Sequence, residues 1–83
     1  MKVFYTQTAA KQLENLSNEN QKRISKKMRF FISQSDPLKF AKHLIGYDLW
    51  SFRIGDYRLI FETENGSIRI LFIEWRDKIY KKL

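Results

Sequence analysis

The sequence predicts an α+β fold: two N-terminal helices packed on one face of a small, mainly antiparallel four-stranded sheet, in the order β-α-α-β-β-β, with a short C-terminal helix. Three observations carry this. In the first half, Ile24, Met28, Phe31 and Ile32 repeat at the spacing of one buried helical stripe. The second half holds three segments rich in aromatic and branched residues, the signature of strands. Gly55-Asp56 and Asn65-Gly66 divide those segments, and the latter is a strong two-residue hairpin signal.

Taken in order, "VFY" at 3–5 reads as a first strand. Thr8 is the expected N-cap of a brief helix carrying Ala9, Leu13 and Leu16 on one side. Asn18 is expected to cap a longer second helix, with Gln21 at the capping-box position. Lys22, Arg23, Lys26, Lys27 and Arg29 fall mostly off its apolar stripe and form a solvated basic face. Ser35-Asp36-Pro37 ends that helix, because proline disfavours helical geometry in the residue before it. A further helical turn is expected between Leu38 and Leu44, ahead of Gly46, followed by strands over 49–54, 57–63 and 68–75 and a short basic tail.

The 83 residues make one domain, 1–83, near the small end of what folds without staples. Its core must be apolar packing alone, since no cysteine is present to form a disulfide or a thiolate metal site. Seven Phe, four Tyr and two Trp supply that core. The longest apolar runs, such as "ILFI" at 70–73, fall far short of the ~20 residues of a membrane span, and "MKVFYTQT" lacks a signal-peptide core. The expectation is a cytoplasmic protein with no membrane association. Net charge is +7, which suggests an anionic partner. The charge is uneven: +5 over residues 17–43 and +3 over 76–83, but −2 over 44–75. The three arginines of that acidic middle therefore need separate reasons.

Two-residue turns fix the strand registers. Across Asn65-Gly66, Glu64 faces Ser67, Glu62 faces Arg69, Phe61 faces Ile70 and Leu59 faces Phe72; the Glu62–Arg69 pair accounts for Arg69. Across Gly55-Asp56, Arg53 faces Arg58. Alternation then puts Trp50, Phe52, Ile54, Tyr57, Leu59, Phe61, Ile68, Ile70 and Phe72 toward the helices, and Leu49, Ser51, Arg53, Arg58, Ile60, Arg69, Leu71, Ile73 and Trp75 on an open face. Like charges directly opposed cost a few tenths to ~1 kcal/mol. Either each guanidinium snorkels to solvent or pairs with Asp48, Asp56 or Glu74, or the two forks converge on a phosphate, which arginine binds in bidentate fashion. His43, near Phe40 and Leu44, reads as structural or solvent-exposed, because a lone histidine without clustered carboxylates makes a poor metal site.

The element order, "LIGYDLWSFRIGDYRLIFE" and "RDKIYKKL" together resemble the RelE/ParE toxin superfamily of bacterial type II toxin–antitoxin systems over nearly the whole chain. The most specific stretch is W-x-x-R-x-G-D-Y-R-L-I, with Gly46 ahead of it and Arg76 and Tyr80 behind. The resemblance implies either a RelE-like ribosome-dependent mRNA endoribonuclease, a ParE-like poison of DNA gyrase, or a degenerate member that only binds its antitoxin, since one fold serves several functions. For the first, it implies that Arg58 contacts the scissile phosphate, that Tyr80 is a general base, and that Arg76 stabilises charge, being too weak an acid to donate a proton. Arg53, Lys42, Lys78, Lys81 and Trp75 are the candidate RNA-binding residues, Trp75 either stacking on a base or anchoring packing. Where RelE itself carries lysines on the strand before the glycine turn, this sequence has Leu49 and Ser51, so that part of the cationic site is missing or supplied by Lys42, Lys78 or Lys81. The implied chemistry is attack by the RNA's own 2′-hydroxyl, which requires neither metal nor cofactor. The implied partners are a cognate antitoxin, covering a groove of Arg53, Arg58, Ile60, Leu71 and Ile73, and the ribosome with its mRNA.

Overall fold

One hydroxyl joins the first elements to the sheet. Thr6 follows a strand over Lys2–Tyr5 (β1), and its Oγ1 accepts from the Ala9 amide at 3.1 Å, capping a helix over Gln7–Glu14 (α1). The same Oγ1 donates to the Leu71 carbonyl at 2.7 Å. This second bond explains why Thr6, rather than the expected Thr8, starts the helix. The computed structural model describes residues 1–75, so the expected C-terminal helix lies outside the described residues.

Ser17, one residue before the expected Asn18, caps the second helix, Asn18–Ser33 (α2), its Oγ accepting from the Asn20 amide at 3.2 Å. Gln21 does not close a capping box; its Nε2 donates to the carbonyls of Glu14 and Leu16, tying α2 back to the end of α1. Ile24, Met28 and Phe31 are buried as the stripe requires. A 3₁₀ turn over Pro37–Phe40 follows. Where more helix was expected, Lys42–His43 forms a two-residue strand (β2). Strands Trp50–Ile54 (β3), Tyr57–Glu64 (β4) and Ser67–Trp75 (β5) complete a five-stranded mixed sheet in the order β1-β5-β4-β3-β2, one strand more than predicted. β1 runs parallel to β5 and the remaining pairs are antiparallel.

Both hairpins turn as their residues dictate. Asn65 and Gly66 take φ of 50° and 77°, the two left-handed positions of a type I′ turn. Gly55 takes φ of 58°, a left-handed conformation that calls for glycine, and the mobile end of the Arg23 side chain passes beside it. Glu64↔Ser67, Glu62↔Arg69 and Phe61↔Ile70 pair as predicted, and Glu62 and Arg69 form an ion pair at 3.6 Å.

Beyond that point the register changes. Ile60 pairs with Phe72, which leaves Leu71 as an extra residue in β5, and Leu59 pairs with Ile73 instead of Phe72. The bulge begins where β1 stops pairing, at Tyr5↔Ile70. From there α1 side chains satisfy the strand: Thr6 binds the Leu71 carbonyl, and Gln12 Oε1 accepts from the Ile73 amide at 2.6 Å. Every later residue of β5 therefore changes face. Ile73, expected on the open face, is 5% exposed in the core, while Phe72 moves to the open face. The core between helices and sheet is built from Ile24, Met28, Phe31, Phe52, Ile54, Leu59, Phe61, Ile68, Ile70 and Ile73. Among the described residues no helix is long and apolar enough to cross a membrane.

Candidate functional site

The sheet face turned away from the helices carries the site. Arg53 and Arg58 are direct cross-strand neighbours, as the turn at Gly55 requires. The bulge adds what the alternation did not foresee, since Arg58 pairs on its other side with Glu74. Arg53, Arg58 and Glu74 thus form one row across β3, β4 and β5, with Arg58 at the centre. Arg53 is exposed, whereas Arg58 is half-buried and its Nε is enclosed.

Two hollows meet at Arg58. One is a cleft of about 370 Å³ lined by Lys39, Phe40, Ala41, Lys42, Ser51, Arg53 and Arg58. The other is a groove of about 430 Å³ whose walls are otherwise apolar, formed by Leu44, Ile45, Tyr47, Leu49, Ile60 and Phe72. Ile60 is 3% exposed at its floor, while Ile45 is 94% and Tyr47 68% exposed on its rim. Gly46, at φ of 84°, turns the loop between these two rim residues. The loop is pinned by the Leu44 amide donating to the Leu49 carbonyl at 2.9 Å. A half-buried guanidinium between a cationic cleft and an apolar groove can hold an oxyanion while its stem and neighbours pack against apolar atoms.

The other predicted residues fall as follows. Lys42 joins the arginines, lying directly opposite Ser51, one of the two positions that lack a cation on the strand before the turn. Leu49 is a wall of the apolar groove, and Ser51 is 4% exposed. Trp75 does not join them: the bulge sets it opposite Tyr57, beside Gln12, Asn15 and Leu16 of the helix face. Leu71 becomes the bulge residue, and Phe72 takes the place expected for Ile73 in the groove. His43 packs its ring on Trp50, with centroids 4.7 Å apart. Arg76, Lys78, Tyr80 and Lys81 lie outside the described residues. Sequence reasoning missed Lys39, Phe40 and Tyr47, and named Glu74 only as one possible partner of the arginines. Among the described residues, no three His, Asp or Glu side chains gather into a metal cradle.

A family model for the ParE toxin of type II toxin–antitoxin systems matches residues 3–80. The chain belongs to this toxin family. Solved structures similar to the toxin include the RelBE2 toxin–antitoxin complex from Mycobacterium tuberculosis, at 25% identity and a TM-score of 0.76 over 90% of each chain. The RelE–RelB complex from Pyrococcus horikoshii is similar at 26% identity and a TM-score of 0.69, over 90% of the toxin and 93% of that chain. The RelB–RelE complex from Methanococcus jannaschii shares the fold, with a TM-score of 0.75 over 96% of the toxin and 98% of that chain, at 20% identity. No curated protein sequence matches the toxin. The toxin thus has the α+β fold of the RelE/ParE superfamily, as the resemblance implied, with one strand more than the patterning predicted.

Proposed function

We propose that the toxin is a RelE-like endoribonuclease that cuts mRNA on the ribosome. The observation that carries this is the place of Arg58, half-buried between the cleft of Lys39, Lys42 and Arg53 and the apolar groove. Arg58 holds the scissile phosphate, with Arg53 as a second fork. Lys42, opposite Ser51, supplies charge on the adjoining strand. Arg53 and Arg58 stand side by side with Glu74 beyond Arg58, and an anion held between the two forks would bind both guanidinium groups at once. Tyr80, in its phenolate form favoured by the cations near it in sequence, takes the 2′-proton to become the neutral phenol, and the 2′-oxygen attacks phosphorus. The bond to the 5′-oxygen breaks, and that oxygen is protonated from water. Arg76 adds positive charge to the transition state. The products are a 2′,3′-cyclic phosphate and a 5′-hydroxyl. The ribosome aligns the 2′-oxygen with the leaving group, and such positioning supplies several kcal/mol of the barrier.

The apolar groove serves the antitoxin. Exposed apolar rims such as Ile45 and Tyr47 mark a partner surface, and an acidic, apolar segment would cover Arg58 while filling the groove. The similar RelE structures are complexes with their antitoxins, which supports this partner. Binding should survive high salt, because burial of Leu44, Leu49 and Phe72 outweighs screened charge. Dissociation at raised salt would contradict that.

The ParE description of the matching family model favours a second reading, inhibition of DNA gyrase without cleavage. One experiment separates them. The purified chain is added to an in vitro translation reaction with mapping of mRNA ends, and in parallel to a gyrase supercoiling assay. Cleaved mRNA supports the nuclease, whereas arrested supercoiling with intact mRNA supports the other reading.

A further inference from the structure

A column of four phenylalanines runs from the middle of the core to its edge. Phe61 stacks on Phe52 with centroids 4.5 Å apart and planes 21° apart, and Phe52 stacks on Phe31 at 4.5 Å and 15°. Phe31 stacks on Phe40 at 5.4 Å and 29°. Exposure rises along the column, from 0% at Phe61 and Phe52 to 6% at Phe31 and 41% at Phe40. The last ring is not spare core. It forms part of the cleft whose other side chains include Lys39, Lys42, Arg53 and Arg58, with no carboxylate in the lining among the described residues.

We propose that Phe40 is a stacking platform for one base of a single-stranded nucleic acid whose adjoining phosphate lies on Arg53, Arg58 and Lys42. The proposal rests on the nucleic-acid reading above and adds the residue that would receive the base. The chemistry favours a nucleotide over an acidic peptide, because a carboxylate would satisfy the cations but leave the aromatic face unused. A base next to its phosphate satisfies both. The ring is also pre-organised. Phe31 supports it in a stack, Phe30 meets it edge-on at 5.5 Å and 69°, and buried Pro37 opens the 3₁₀ turn that carries it. A platform already held still gives up little rotamer freedom on binding. Because every base has a π-face, Phe40 would tolerate many sequences rather than read one.

The test uses the full chain and two end-labelled probes followed by fluorescence anisotropy: an RNA tetranucleotide with 2′-O-methyl sugars, which resists 2′-oxygen attack, and an abasic backbone of equal length. Phe40→Leu keeps an apolar contact with Phe30 and Phe31. It should weaken the tetranucleotide about tenfold, within the range of one lost base stack, and leave the abasic probe unchanged. Phe40→Trp should restore affinity and add an emission that the tetranucleotide quenches. Arg58→Ala should weaken both probes, which separates the phosphate contact from the platform. If Phe40→Leu weakens neither probe, or both equally, the platform is wrong while phosphate binding stands. If the wild-type chain binds neither probe, the nucleic-acid reading itself fails and the platform falls with it.

Discussion

Arg58→Ala isolates the central claim, because its effects on activity and on folding have different sizes. In the transition state the pentavalent phosphate gains charge, and removing one preorganised donor from such a site costs about 10²–10³ in rate. On the folding side opposing terms act, and the lost attraction to Glu74 on β5, about 0.2–1 kcal/mol, offsets the relief from Arg53. Relief of the direct opposition to Arg53 gains about 0.2–1 kcal/mol. Loss of the arginine stem from the wall shared with Ile60 and Phe72 costs about 1 kcal/mol. The difference is small, so the melting temperature should move by no more than about 5 °C for a domain of this size. Arg58→Lys keeps the charge but loses the planar fork, and should recover part of the activity without reaching wild type. The assays are mRNA cleavage in a translation extract and thermal melting of the same preparations. Wild-type cleavage by Arg58→Ala would refute the assignment. So would a fall in melting temperature of more than about 10 °C, since the residue would then be holding the fold rather than the phosphate.

The bulge predicts an order of stabilities: Ile73→Ala, in the core, should cost about 2–4 kcal/mol in urea unfolding, and Phe72→Ala, on the groove, clearly less. The reverse order would restore the unbulged register. Tyr80→Phe should slow cleavage about a hundredfold, and the wild-type product should end in a 2′,3′-cyclic phosphate; 3′-hydroxyl ends would exclude attack by the 2′-oxygen. Burial raises the pKa of Tyr5 above its ordinary 10.0, so the folded chain keeps this proton after the unfolded chain has lost it. Its stabilisation is therefore complete below the unfolded value and lost as pH climbs through the folded one. Tyr5→Phe should flatten the fall in stability between about pH 9 and 11, and an unchanged slope would discount Tyr5.

Turn chemistry made much of this legible. The turns at Gly55-Asp56 and Asn65-Gly66 each need left-handed backbone that few residues other than glycine and asparagine take, so they mark two-residue turns, and the pairings next to them, including Arg53 with Arg58, follow from counting residues. Legibility fails where two choices look alike. Ile70, Leu71, Phe72 and Ile73 are all apolar, so either parity buries an apolar residue, and the pattern carries no mark of the extra one. The deciding contacts, Thr6 to Leu71 and Gln12 to Ile73, join residues distant in the chain. One residue of slippage then moves Trp75 off the arginine face and brings Glu74 onto it. The caps miss for a milder reason: Thr6 and Thr8, or Ser17 and Asn18, are equally good local candidates, and tertiary contacts choose between them. β2 is two residues long, too short for any period to register. Nothing in the sequence around Phe40 marks a site; its exposure in a cationic cleft does.

The parallel pairing of β1 with β5 bears on when, during synthesis, the fold can be completed. Thr6 is bonded to a residue 65 positions later, and Val3 lies beside Ile68. β1 has no place in the sheet until β5, made well after it, is available to pair. Such long-range closure is slow, because the entropy of joining distant segments is lost before their contacts repay it. The arginine row has the same dependence, since Glu74 reaches Arg58 only once β5 is seated. Synthesis order thus leaves a partly made chain without a closed sheet or the Phe72 wall of its groove, and gives a partner already present in the cell an interval in which to meet the finished groove.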